Sequence, residues 1–137
     1  MSPQTPTPLR SAMAAIDVIT RAASTPLCAE TIALLTDDGS LPIACVVIAG
    51  PSPPDDIIHT VELLAEVAEK NGAVHLVLAS CRPGRGFSAA DIDRWFAIDL
   101  LLVDSPLLLV EWFIHDERSI VAMSAVVGEP SRWELLG

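Results

Sequence analysis

Apolar residues recur along the chain first with a helical period and then in short continuous runs. The first helical stripe consists of Leu9, Met13, Ile16, Ile19 and Ala23. This helix should end before Pro26, because a residue that precedes proline is disfavoured in the helical conformation. Two apolar runs follow at 30–37 and 42–50, and they are joined by turn residues at 38–40. The pattern therefore predicts a helix followed by a β-hairpin.

A proline cluster at 51–54 ends the second of these strands, and a second helix is predicted directly after it. Asp55 and Asp56 suit the start of this helix, and Gly72 suits its end. Its apolar stripe consists of Ile57, Ile58, Val61, Leu64, Ala65 and Ala68. The continuous apolar run at 73–80 then predicts a central strand that is covered on both faces.

A loop rich in glycine and arginine follows the central strand and leads into a third helix. Ser88 and Asp91 match a capping box, and the helix is expected to be short, running through Phe96. Three further strands are predicted, at 98–104, 107–114 and 120–128. The last two of them should form a second hairpin around the polar turn at 115–119.

The predicted element order is α-ββ-α-β-α-β-ββ. This order favours an α/β (α+β) fold with a single mixed β-sheet and helices packed on it. We expect a flexible N-terminal tail at 1–8, one domain at 9–128 and a C-terminal extension at 129–137.

The composition favours one domain with a large apolar core. The chain has 137 residues, of which 51% are hydrophobic and 19% are charged. Such a composition favours either a rich core or an oligomer interface, and a homodimer through the C-terminal hairpin or the N-terminal helix is a candidate. No apolar run approaches the length of a membrane span, and the N-terminal segment has no pattern of a secretion signal, so we expect a cytoplasmic protein without membrane contact.

The formal net charge of −10 repels the phosphate backbone, so nucleic acid is not an expected partner. A protein partner or a small anionic ligand is expected instead. The three cysteines, Cys28, Cys45 and Cys81, are odd in number and do not fall into a zinc-binding spacing. Reduced thiols, no cofactor and no metal are therefore expected.

Two stretches of the chain resemble a known family. VHLVLASCRPGRGFSAAD at 74–91 stands where the JAB/MPN domain of the RadC family has a strand, a metal loop of the form His-x-His-Pro-Ser-Gly and a Ser-x-x-Asp motif. LLLVDS at 100–105 stands where that family has Leu-Leu-Asp-His. The resemblance covers about residues 10–126 and implies the cytidine-deaminase-like architecture of this zinc-metalloprotease-like fold.

The resemblance also implies where the functional groups would lie. In active relatives two histidines and an aspartate bind zinc, a glutamate activates water and a serine stabilises the oxyanion. The two histidine positions become Ser80 and Arg82, the aspartate becomes Asp91 and the serine becomes Ser88. A guanidinium carries a permanent charge and has no free lone pair, so Arg82 repels a cation. The position of the base is left open between Asp55, Asp56 and Glu62.

The favoured interpretation is a non-catalytic RadC-like JAB/MPN domain that acts as a binding or scaffolding module. One alternative is a zinc-dependent peptide or isopeptide hydrolase of the same fold, with an unconventional site built from His75, Cys81 and Asp91. Another alternative is an unrelated small α/β domain that binds an anionic metabolite.

The loop itself suggests an anion site in place of a metal. Arg82, Arg85 and Arg94 lie close to a helix start, and Ser80 and Ser88 supply hydroxyls beside them. The competing interpretation is that these arginines pair with the acidic residues Asp91, Asp93 and Asp104. The thiol of Cys81 stands next to Arg82, where a thiolate would be stabilised, so its reactivity is a further open point.

Overall fold

Five strands and four α-helices make up the computed structural model, which describes residues 7–136. The strands are β1 (Glu30–Thr36), β2 (Pro42–Ala49), β3 (His75–Cys81), β4 (Leu108–His115) and β5 (Ile120–Ala122). The helices are α1 (Ala12–Ala22), α2 (Asp56–Asn71), α3 (Ala90–Leu102) and α4 (Met123–Val127), and a 3₁₀ helix follows at Arg132–Leu136. Most of the tail predicted at 1–8 lies outside the described residues, as does Gly137.

The strands form one mixed sheet in the order β2-β1-β3-β4-β5. β1 is antiparallel to both β2 and β3, β3 is parallel to β4, and β4 is antiparallel to β5. The prediction of a single mixed sheet with a central third strand is confirmed. Glu30 pairs with Cys81, so the start of β1 lies beside the end of β3. The loop end of the sheet is defined here as the end at which β1 starts and β3 and β4 finish.

Both faces of the sheet are covered by helices. α2, α3 and α4 pack on one face, and α1 packs on the other together with the C-terminal 3₁₀ helix. Trp112 and Phe113 are neighbours in β4, and because side chains alternate along a strand they enter the two opposite cores. Both of these aromatic side chains are at least 99% buried.

The predicted end of α1 before Pro26 and the predicted start and end of α2 are confirmed. The Ser11 hydroxyl accepts a hydrogen bond from the Ala14 amide at the start of α1, and Gly72 ends α2 with a left-handed φ of 73°. Of the predicted stripe in α1, Leu9 and Ala23 lie outside the helix, and Met13 is 82% exposed. The helix buries Ile19, as predicted, together with Ala15, which was not in the predicted stripe.

The predicted strand at 98–104 is wrong, because α3 continues to Leu102. Ile98 and Leu102 are buried one helical turn apart, while Leu100 and Leu101 are exposed. A nearly continuous apolar run does not distinguish a strand from a helix by its period, and here the three successive leucines at 100–102 lie on different sides of one helix. α3 therefore has 13 residues, more than the short helix that was predicted.

The predicted strand at 120–128 is mostly wrong as well. The hairpin of β4 and β5 is present, but β5 has only three residues, and α4 begins at Met123. The buried Glu111 carboxylate accepts hydrogen bonds from both the Ser124 amide and the Ser124 hydroxyl, which stabilises the first turn of α4. The observed order is therefore α-ββ-α-β-α-ββ-α with a final 3₁₀ helix.

Residues 129–136, expected as a C-terminal extension, contact the domain closely. Arg132 forms a double hydrogen bond with Asp99 of α3 and donates to the Leu109 carbonyl of β4 at 2.9 Å. Its guanidinium also lies over the ring of Trp95, 4.6 Å from the ring centre. Over residues 7–136, no helix combines the length and the apolar character that crossing a membrane requires.

Candidate functional site

A cavity of about 310 Å³ opens at the loop end of the sheet. Three segments form its walls: the start of β1 at 29–31, the proline loop at 50–54 and the stretch 80–85, which joins β3 to the loop before α3. The first turns of α2 close it through Ile57 and Thr60. The segment that the sequence marked as the site therefore does lie at the mouth of a cavity.

Arg82 is held by Asp91 in a paired hydrogen bond. Its Nη1 donates to Oδ2 of Asp91 at 2.7 Å, and its Nη2 donates to Oδ1 at 2.9 Å. The Asp91 side chain is fully buried, and the Arg82 side chain is 15% exposed. The planar guanidinium matches both carboxylate oxygens at once, so the direction of Arg82 is fixed.

Two more donors complete the set around Asp91. Nη1 of Arg94 donates to Oδ1 at 2.8 Å, and the Ser88 amide donates to Oδ2 at 2.8 Å. Each oxygen thus accepts two hydrogen bonds, which is the full capacity of an ionised carboxylate. Arg94 also donates through Nε to Asp55 at 2.8 Å, which links α3 to the start of α2.

Burial by itself would raise the pKa of Asp91. The hydrogen bonds from Arg82, the Ser88 amide and Arg94 outweigh that effect and lower the pKa of Asp91 below its ordinary value. The same contacts hold the pKa of Arg94 above its ordinary value, against the effect of its burial, through Asp55 and Asp91. Asp91 is therefore an ionised structural anion shared by two arginines.

The zinc ligands proposed for an unconventional site are not brought together. His75 and Cys81 stand at opposite ends of β3, about 20 Å apart for a seven-residue strand. Asp91 has its lone pairs engaged by donors. Within residues 7–136, no cluster of three or more His, Cys, Asp and Glu side chains is arranged to hold a metal ion.

The capping box predicted from Ser88 and Asp91 is half present. The Asp91 carboxylate does accept the Ser88 amide, but the residue before the first helical residue is Ala89. Asp91 thus has both roles that the sequence left open: it satisfies a helix-start amide and it organises the arginines. The prediction that the loop arginines pair with an acidic residue is correct for Arg82 and Arg94, with Asp91 as the shared partner.

The residues proposed to bind an anion separate into two groups. Ser80, Arg82 and Arg85 line the cavity, whereas Ser88 and Arg94 do not. Arg85 is exposed. Within residues 7–136 it has no ion-pair partner, in contrast to Arg82 and Arg94. Arg85 is therefore the guanidinium of the loop that is available to a ligand.

Part of the anion-binding potential of the loop is used within the protein. The Gly84 amide donates to the Glu117 carboxylate at 2.7 Å. Gly86 has a φ of 56°, and a Cβ atom at this residue would lie 2.5 Å from Oδ2 of Asp116. The left-handed φ of Gly86 favours glycine at this position, and Glu117 occupies the Gly84 amide, which is therefore not free for a ligand.

Ser80 occupies the floor of the cavity and is only 7% exposed. Its oxygen accepts a hydrogen bond from Nε1 of Trp112 at 2.9 Å, and Arg82 lies over the same ring, 5.8 Å from its centre. The oxygen already accepts the indole proton, so Ser80 can offer a ligand its O–H and one remaining lone pair.

Glu30, the buried carboxylate of the cavity, was not predicted from the sequence to be a site residue. This residue is 7% exposed, and its two oxygens accept hydrogen bonds from the amide and the hydroxyl of Ser24, at 2.7 and 3.2 Å. The three acidic residues named from the sequence, Asp55, Asp56 and Glu62, are exposed instead. The available signal was an acidic residue at the first position of an otherwise apolar strand, ETIALLT.

Cys81 is buried beside Glu30 at the end of β3. Burial, followed by the negative charge of Glu30, raises the pKa of the Cys81 thiol to about 11. This direction is opposite to the stabilised thiolate that the neighbouring Arg82 suggested. Cys81 is therefore a protonated thiol at neutral pH.

The buried thiol and the exposed thiols should consequently differ in reactivity. At neutral pH we expect Cys81 in the folded protein to react with a disulfide reagent such as DTNB at least ~100-fold more slowly than an ordinary exposed thiol with a pKa of about 8.5. The exposed Cys28 should react at the ordinary rate. Stopped-flow measurements on Cys28→Ser/Cys45→Ser, which removes both exposed thiols and keeps Cys81, test this against the parent chain, and rapid modification of Cys81 before unfolding would contradict it.

The cavity thus combines one unpaired guanidinium, one buried carboxylate and several hydroxyls. No family model, curated protein or solved structure matches this chain. The assignment of a function therefore rests on what these groups do chemically. Arg85 and the Ser80 hydroxyl donate hydrogen bonds, and Glu30 accepts them, so the arrangement is suited to binding a small polar molecule.

Proposed function

We propose that this chain is a non-catalytic domain of the RadC-like JAB/MPN type that acts as a binding module, and that its cavity takes a small ligand with one anionic group at Arg85. The anionic group is a carboxylate or a phosphate, either of a free molecule or of a partner. The arginine-bearing loop has the place that a metal loop has in active relatives.

The order of elements supports kinship with that family. In that family a helix and a hairpin are followed by a helix led by prolines, a strand and a loop that leads into a helix, and this chain has the same succession. The stretch LLLVDS differs, since it lies at the end of α3 and beyond it, where the family has a strand. The kinship therefore rests on the first half of the domain and on the loop.

The observation that carries the non-catalytic assignment is the saturation of Asp91. Both of its oxygens accept two hydrogen bonds, from Arg82, Arg94 and the Ser88 amide. A metal ion could bind there only after the paired hydrogen bond with Arg82 had been broken, and Arg82 would then repel it. Replacement of this contact by a metal is unfavourable on both counts.

The charges around the cavity restrict the ligand. Arg85 attracts one negative group, whereas Glu30 repels a second one at the β1 side. A cavity of about 310 Å³ is at the lower end of the volumes that small-molecule sites have. The best fit is thus a small molecule with a single anionic group whose remainder is neutral or positively charged.

We expect millimolar acetate, glycine or inorganic phosphate to raise the melting temperature of the parent protein by several degrees when the concentration far exceeds the dissociation constant. Arg85→Ala should abolish the increase. Arg10→Ala is the matched control, because Arg10 is exposed and contacts Gly39 at the opposite end of the sheet. An equal increase in all three proteins, or none in the parent, would exclude the anion site at Arg85.

Elemental analysis of protein purified without chelator tests the non-catalytic part of the proposal separately. We expect substoichiometric zinc. About one tightly bound zinc ion per chain would overturn the assignment and would favour the hydrolase alternative.

A further inference from the structure

The strand β2 forms an open edge of the sheet that nothing in the described chain covers. Within residues 7–136 it pairs only with β1. Six of its eight residues are exposed, among them Ile43, Val47 and Ile48 at 38–44%. The sequence from Pro42 to Ala49, PIACVVIA, contains no charged side chain.

This edge lacks most of the protection that natural edge strands carry. Such strands are usually short, charged, interrupted by proline or bulged, because unpaired N–H and C=O groups invite another strand. β2 has its proline and its irregular register only at the beginning, near Pro42. The remainder, Ala44–Ala49, pairs with β1 in a regular register. The opposite edge, β5, is by contrast only three residues long.

The register defines which groups of β2 face outwards. The Gly50 amide donates to the Ala29 carbonyl at 3.0 Å, so this pair is a hydrogen-bonded one. In an antiparallel ladder hydrogen-bonded pairs alternate with pairs that are not hydrogen-bonded. Ala44, Val46 and Ile48 therefore bond to β1. The N–H and C=O groups of the intervening residues, Cys45, Val47 and Ala49, point away from β1 towards the open edge.

We propose that β2 pairs with β2 of a second copy of this chain, antiparallel and around a two-fold axis, so that two five-stranded sheets become one continuous sheet. An open strand edge demands an extended strand as its partner. Under two-fold symmetry the same N–H and C=O groups satisfy one another, and no other sequence is required.

Charge favours a second copy over an acidic or a basic partner strand. The chain carries a net charge of −10, yet the paired segments contain no ionisable side chain apart from the Cys45 thiol. Two copies can therefore meet here without placing like charges opposite each other, which would be destabilising. A basic partner strand would find no carboxylate within β2 to select it.

The size of the contact sets the strength of the dimer. The regular part of β2, Ala44–Ala49, spans about 20 Å, and a single strand pair covers less than a standard interface of ~1,600 Å². The dimer should therefore dissociate on dilution. Light scattering after size exclusion should show the mass of a dimer at ~200 μM and a falling mass at lower concentration.

The decisive variant is Val47→Lys. Val47 is 44% exposed, so the monomer should keep its fold, which circular dichroism checks. A lysine on the strand is a natural form of edge protection, and because Val47 is the middle one of the three outward-facing residues it would come close to its own copy near the axis, so we expect this variant to be monomeric at every concentration. Leu100→Lys is the matched control, since Leu100 is 74% exposed but lies on α3; this variant should dimerise as the parent does.

A second measurement separates edge pairing from contact through another surface. In the dimer the amides of Cys45, Val47 and Ala49 should gain protection from hydrogen exchange as the protein concentration rises, and Val47→Lys should lose that gain. A parent protein that is monomeric at ~200 μM overturns the proposal. A dimer that persists in Val47→Lys, or one whose β2 amides exchange freely, overturns it as well.

Discussion

Replacing Asp91 by alanine should lower the free energy of unfolding by about 3–5 kcal/mol, as expected when one partner of a buried ion pair is removed. Arg82 and Arg94, with side chains only 15% and 13% exposed, would keep their charges without the carboxylate that accepts three of their hydrogen bonds. The Ser88 amide would lose its acceptor too. Urea denaturation followed by tryptophan fluorescence measures the change.

The control for this prediction is Asp93→Ala. Asp93 is also in the first turn of α3, but it is exposed, so its replacement should change the free energy of unfolding by no more than about 0.5 kcal/mol. If the Asp91 and Asp93 variants lose similar stability, the hydrogen bonds around Asp91 do not organise the loop. In that case Asp91 would not be saturated by its donors, and its carboxylate could bind a metal ion.

The pH dependence has a defined sign. The pKa of Asp91 is lower in the folded protein than in the unfolded chain, so Asp91 contributes stability above its unfolded pKa of about 3.9 and loses that contribution as the pH falls through the folded value. The Asp91→Asn variant lacks the titrating group. The stability difference between the parent and Asp91→Asn should therefore be full near pH 7 and shrink below pH ~4.

The hydrogen bonds that Asp91 accepts from Arg82 and Arg94 also explain why most of the positive charge of the loop is not available to a ligand. Three arginines in a chain of net charge −10 suggested an electropositive pocket. Two of them, Arg82 and Arg94, are instead structural cations that connect the loop, α3 and the start of α2. Only Arg85 retains its charge for an external partner among the three, which turns a general anion pocket into a site for a single negative group.

The elements that could be predicted from the sequence are those with local signals. The hairpin of β1 and β2 has turn residues between two apolar runs, and α2 has prolines and acids at its start and Gly72 at its end. The segments 98–104 and 120–128 were misassigned because they are apolar without a clear period. Tertiary contacts decide the conformation of these two segments. Ile98 and Leu102 fill the core, and Glu111 supplies the acceptor for the first turn of α4.

The site was predictable only where it is contiguous in the chain. The stretch from Ser80 to Asp91 could be marked as a loop between a strand and a helix, and its proline, two glycines and two arginines are visible in the sequence. Glu30 and the proline loop at 50–54 reach the same cavity through the pairing of β1 with β2 and β3. Strand order and register place Glu30 next to Cys81, and no pattern of spacing encodes that contact.

Trp95→Ala should be as destabilising as loss of Asp91, at about 3–5 kcal/mol. Trp95 is fully buried at the centre of the core between α3 and the sheet, and its removal leaves a cavity that the surrounding side chains cannot fill. The indole also donates through Nε1 to Glu129 at 3.2 Å, and the Arg132 guanidinium lies over its ring. Loss of the ring should thus release the C-terminal segment together with the core contacts.

Phe96→Ala and Trp95→Phe are the controls that distinguish these contributions. Phe96 is the next residue on α3 but is 51% exposed, so its truncation should have an effect of no more than about 0.5 kcal/mol. Trp95→Phe keeps most of the apolar volume and removes the hydrogen bond to Glu129, so an intermediate loss is expected. Denaturation midpoints rank the three variants, and accelerated hydrogen exchange at 129–136 in Trp95→Ala reports release of the C-terminal segment. Unchanged exchange there would mean that Leu136 and the ion pair of Arg132 with Asp99 hold the segment without the ring.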